Sequence, residues 1–95
     1  MAEAVTKQIT AGDTFSDAAL VKGDFNISIQ GTFSATVTVQ RSYDQDTISN
    51  WEDVETFTTA VERIGFEPES MYYRVGVKSG EFTSGTIDVR IGTAD

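Results

Sequence analysis

Apolar and polar side chains alternate along much of this chain, and no other feature limits its fold so tightly. A period of two sends successive side chains to opposite faces of an extended backbone, so each alternating run predicts a strand with one buried face. Five runs carry the pattern. Residues 24–30 would turn Phe25, Ile27 and Ile29 inward, and residues 32–42 would turn Phe33, Ala35, Val37 and Val39 inward, opposite Ser34, Thr36, Thr38 and Gln40. Over 51–59 the pattern is looser, with Trp51, Val54 and Phe57 as its apolar positions. Residues 71–78 alternate Met71, Tyr73, Val75 and Val77 with Tyr72, Arg74, Gly76 and Lys78, and 86–92 close the series with Ile87, Val89 and Ile91.

Composition agrees. Nine valines and seven isoleucines stand against a single leucine, Leu20, with thirteen threonines beside them, a strand-forming set. The helix-tolerant segments, 1–7 and 17–22, are too short to stand alone. Punctuation falls at Gly12-Asp13, Lys22-Gly23-Asp24, Gln30-Gly31-Thr32, 44–50, 65–70 around Pro68, and 79–85, at the spacing of a sandwich. Weaker strands over 5–10 and 59–64 bring the total to about seven. Ninety-five residues have room for one modest core. The expectation is an all-β chain, a single antiparallel β-sandwich of Ig-like or fibronectin-like form, with residues 1–10 as an N-terminal arm or first edge strand and 11–95 as the sandwich. Pairing 72–78 with 84–90 would set Arg74 opposite Asp88 and Tyr72 opposite Arg90, whereas a shift of two would oppose Arg74 and Arg90, so charge favours the first register.

The chain has neither histidine nor cysteine. That removes disulfides, thiolate and imidazole metal sites, and any triad that uses histidine. A net charge of −8 would repel phosphate backbones and anionic lipid, which argues against nucleic-acid and membrane partners. No run approaches the roughly 18 apolar residues of a membrane span, and MAEAVTKQIT lacks the apolar core of a secretory signal, so a soluble protein made in the cytoplasm is expected.

Carboxylates cluster in Asp44-Gln45-Asp46 and Glu52-Asp53-Glu55, and oxygen ligands of this kind suit calcium. The spacing lacks the glycine and bidentate glutamate of a calcium loop, an acidic loop tip is ordinarily solvated, and paired carboxylates for glycoside hydrolysis need a cleft that a domain this size rarely offers. No metal, cofactor or catalytic residue is therefore expected. Trp51, Tyr43, Tyr72 and Tyr73 could make a sugar platform, but Trp51 and Tyr73 fall on the inward face, which leaves Tyr43 and Tyr72 exposed. Asn26-Ile27-Ser28 matches a glycosylation sequon, which has no role without secretion. Threonines and serines on the outer strand faces make a polar surface poor in charge, suited to pairing with another protein.

Residues 31–44 (GTFSATVTVQRSYD), Trp51-Glu-Asp-Val54, residues 73–80 (YRVGVKSG) and residues 85–90 (GTIDVR) together resemble small β-sandwich proteins encoded among the virion genes of tailed phages. The turn also resembles an Asp-box through Ser42, Asp44 and Trp51, although Asp46 stands where glycine is expected and Trp51 comes two residues late. An Asp-box is a structural hairpin, so these three residues are assigned to the turn. The resemblance implies a non-enzymatic capsid decoration or cement protein on the virion surface. Its partners would be the major capsid protein and neighbouring copies of itself, in some such families as a trimer. The interface would draw on Met1, Ala2, Glu3, Ala4 and Val5 of the arm, which could add a strand to a neighbour, and on Thr36, Thr38, Gln40, Tyr43, Tyr72 and Arg74 of the sheet. The alternative is a tail, fibre or head-surface module that contacts host glycans through Tyr43, Tyr72 and the acidic loop.

Overall fold

The alternating runs form strands throughout the structure, a computed structural model that describes residues 3–42 and 50–93. In chain order these are β1 (Glu3–Ile9), β2 (Thr14–Phe15), β3 (Ala19–Ala35), β4 (Val37–Ser42), β5 (Glu52–Phe57), β6 (Val61–Val77) and β7 (Phe82–Thr93). Every ladder is antiparallel, and one hydrogen-bonded sheet runs β1-β7-β3-β6-β4-β5, with β2 also on β6. The expected all-β, seven-stranded, sandwich-like architecture is therefore what forms.

A single sheet becomes a sandwich because its two longest strands bend. Each has 17 residues and would run about 50 Å if straight at ~3.3 Å per residue, yet the longest extent of the fold is 35 Å. The β3–β6 register breaks between Val21, opposite Met71, and Gly23, opposite Glu67, and a break of this kind bends and twists a strand pair. On one side of the break lie β1, β7, the rest of β3 and the first half of β6. On the other lie β2, the second half of β6, β4 and β5. Between the two layers Met71, Val75, Val77, Ile87, Val89 and Ile91 are buried with Ile27, Ile29, Val37 and Val39. Phe25, Phe33, Ala35 and Phe57 are half-buried against them. The inward sets expected for these runs are thus the core, apart from Val54 and Trp51.

Several expected boundaries do not exist. Gly23 and Gly31 lie within β3, so 24–30 and 32–35 belong to one strand, which turns into β4 at Thr36, whose amide donates to the Glu81 carbonyl at 3.0 Å. Gly31 has φ +115° and, on the neighbouring strand, Gly85 has φ +103°; a Cβ at either would lie 2.3 Å from a carbonyl oxygen of the facing strand, Thr86 or Thr32. These glycines kink a continuous ladder and make no hairpin. Residues 65–70 also lie inside a strand, β6, and Pro68 falls in the register break, where no ladder amide is needed.

The expected pairing of 72–78 with 84–90 does not form. β3 lies between β6 and β7 in the sheet, so Arg74 stands opposite Gln40 of β4, and Arg90 opposite Ser28 and Thr6. Asp88 instead accepts a hydrogen bond from Gln8 Nε2 at 3.3 Å, and Arg90 donates to Asn26 Oδ1 at 3.1 Å. Charge matching between consecutive runs carries no information about a third strand that separates them.

Candidate functional site

β4 is buried on both faces, although it lies one place from a sheet edge. Its inner face supplies Val37 and Val39 to the core. Its outer face is covered by a second, smaller cluster centred on Arg74. Phe15 lies across Gly76, where a Cβ would come within 2.7 Å of the ring, so a side chain there would displace it. The Arg74 guanidinium sits 4.2 Å from the Phe15 ring centroid and 4.6 Å from that of Trp51, stacked on two aromatic faces. Its Nε donates to Gln40 Oε1 at 2.8 Å, Gln40 Nε2 donates to Asp53 Oδ1 at 2.9 Å, and Lys78 Nζ donates to Asp53 Oδ2. Burial lowers the Arg74 pKa, against the raising effect of Asp13. Hydrogen bonds from Lys78 and Gln40 hold the Asp53 carboxyl below its ordinary value, and the contact with Asp53 raises Lys78. Trp51 therefore caps the outer face and does not enter the core with Tyr73, because the guanidinium opposite it attracts the ring face.

A polar trio, with Glu67 and Tyr73 buried and Arg41 half-buried, joins the two layers. Tyr73 Oη donates to Glu67 Oε1 at 2.7 Å, and Arg41 Nη2 donates to the same oxygen at 3.0 Å. Glu67 is 4% exposed, and its charge is tolerable there because both donors point at it. Burial, then the Glu67 hydrogen bond, pushes the Tyr73 phenol up to about 12, with Arg41 pulling the other way. Sequence reading leaves Glu67 in a connection beside Pro68. The signal that could have found it is its alternation with Met71 and Tyr73, once the strand is continued back through the proline.

The third feature is an open side of the sandwich. The first half of β6, residues 61–67, pairs with β3 on one flank, and among the described residues no strand pairs with its other flank. β5 is an edge as well, paired only with β4 among the described residues. Between these two edges opens a cavity of about 250 Å³, with Phe25, Ile27, Val39, Phe57 and Tyr73 in its wall. Arg63 lies over the Phe57 ring at 5.4 Å and pairs with Glu55 at the surface. At the rim Ile64 is 90%, Phe66 67% and Val54 48% exposed.

The expected interface residues divide between regions. Thr38 and Gln40, expected on an outward face, are buried beneath the Arg74 cluster, and Tyr72 and Arg74 are half-buried on the same outer face, next to Ser42. Glu3, Ala4 and Val5 lie on the far edge, where β1 pairs with β7, and Thr36 is half-buried at the β3–β4 corner. Met1, Ala2, Tyr43, Asp44 and Asp46 lie outside the described residues. Among the described residues no group of three or more acidic side chains is placed to hold a metal, and no helix is long and apolar enough to cross a membrane. Comparison with protein-family models, curated proteins and solved structures finds no match for this chain.

Proposed function

We propose that this chain is a non-enzymatic capsid decoration or cement protein of a tailed bacteriophage, binding the major capsid protein lattice and neighbouring copies of itself on the virion surface. The observation that carries this reading is the open flank of β6, with Ile64 and Phe66 exposed beside an apolar cavity. Clustered large apolar side chains at an unpaired strand edge mark a protein-contact surface, since such an edge left bare invites aggregation. The rest of the architecture suits an inert clamp. One small core, a stacked arginine cluster and a carboxylate–phenol–guanidinium trio around the buried Glu67 fix the shape of a chain that has no histidine or cysteine. The N-terminal strand β1 is the other edge of the sheet, and it offers a route to neighbouring copies by strand addition.

The test compares heads that carry the chain with heads from a phage deleted for it. The deleted heads should lose DNA at a lower temperature, and purified protein added back should restore the heat resistance. Equal heat resistance with and without the chain would refute the cement role.

A further inference from the structure

We propose that the fork between β5 and the open flank of β6 takes, as an added strand, an extended segment of a partner protein that alternates apolar with basic residues. This rests on the reading that the chain binds a protein lattice, and it names the chemistry of the contact. Three observations converge. Residues 61–66 present a backbone flank that no described strand pairs with, about as long as an ordinary strand, and β3 fixes their conformation from the other side. The cavity beside them is walled by Phe25, Ile27 and Phe57, with Arg63 of β6 over Phe57 and paired to Glu55 of β5. A strand laid along β6 would move the Arg63 side chain aside and drop alternate side chains onto this wall while its other face met Ile64 and Phe66. Charge selects the partner. Among the described residues Asp53, Glu55 and Glu67 pair with Lys78, Arg63 and Arg41, which leaves Glu52, Glu62 and Glu69 as the acidic surplus of β5 and the leading part of β6. A second copy of a chain with net charge −8 would bring more negative charge to this edge, whereas a basic segment relieves it.

The probe is a terminally blocked synthetic heptapeptide of alternating valine and lysine, with its valine–glutamate counterpart as control, titrated into the isotope-labelled full chain and followed by NMR. The lysine peptide should bind saturably, shift amides of 52–57 and 61–66, and slow the exchange of amides on the open flank. The glutamate peptide should not bind. Ile64→Lys and Phe66→Lys, both at exposed positions that leave the fold intact, should each weaken binding by about tenfold, as should Val54→Lys on the facing wall. Equal binding of both peptides, shifts confined to β1 and β7, or a concentration-dependent homodimer that covers 61–66 would overturn the proposal. Failure here with heat protection of heads retained would remove the fork and leave the cement reading standing. Loss of heat protection with peptide binding intact would do the reverse.

Discussion

Replacing Thr38 with valine should make this protein more stable. Thr38 is 0% exposed, enclosed between β4 and the cluster that covers it, and its Oγ1 has no hydrogen-bond partner among the described residues. A buried hydroxyl without a partner forfeits its hydration, at a cost of about 1–3 kcal/mol. Valine keeps the branching and the shape, suits the strand equally, and puts a methyl group where the hydroxyl was. The expected gain is about 1–2 kcal/mol, or a rise of roughly 4–16 °C in Tm for a domain of this size. Urea unfolding at constant m-value and scanning calorimetry would measure it, with Thr36→Val, at the half-buried corner, as a control expected to stay within about 0.5 kcal/mol. A loss of stability in Thr38→Val would show that Oγ1 makes a bond in the folded protein, and would refute the reasoning.

Other consequences of the fold are equally direct. Gly31→Ala and Gly85→Ala combine a positive φ, worth about 1–2 kcal/mol, with a methyl group forced to 2.3 Å from a carbonyl, whereas Gly80→Ala (φ +83°) meets nothing within 4 Å and bears the first cost alone. Chemical denaturation should therefore find Gly80→Ala clearly the most stable of the three, and equal losses would remove the kinked-ladder account. Ile27→Ala should cost about 2–4 kcal/mol by the same assay, and a loss under about 0.5 kcal/mol would mean that β3 faces the other way. The Tyr73 phenol, raised from 10.0 to about 12, keeps its proton longer in the folded chain than in the unfolded one. Its contribution to stability is whole below pH 10 and declines from there through pH 12, and a late absorbance step should vanish in Tyr73→Phe; a step that survives the substitution would reassign the shift. The Asp53 carboxyl is held low first by Lys78, so Lys78→Gln should raise its pKa as read by carbon NMR. Stability from that contact is present above the ordinary carboxylate range and fades as pH falls through the lowered value, and an unmoved Asp53 in the variant would place the cause elsewhere.

The faces of the strands were legible because a period of two is a local property, and Ile27, Ile29, Val37, Val39, Val75, Val77, Ile87 and Val89 all lie where alternation put them. Where strands end was far less legible. Glycine supplies positive φ to a hairpin turn and to a kink in a continuous strand alike, so Gly31 reads the same in either, and the facing carbonyl of Thr86 that distinguishes them is remote in sequence. Pro68 ends a strand in most contexts, and only the unpaired stretch opposite the Val21–Gly23 break lets β6 run through it. The candidate site was hidden for a related reason. Ile64 and Phe66 read as part of a weak strand and a connection, and their exposure follows from which flank of β6 lacks a neighbour, a property of strand order that no local window contains. Trp51 went to the wrong face because the looser apolar pattern of 51–59 carries no trace of Arg74, which is remote in sequence and which the fold brings against the ring.

Density-gradient fractionation of the native lysate, with copies of this chain counted per particle, tests the central claim most directly. The account predicts that the chain travels with the capsid shell at a copy number comparable to that of the major shell subunit. A chain that stays at the top of the gradient as a small unattached protein, or that rides on particles at only a few copies each, would contradict it.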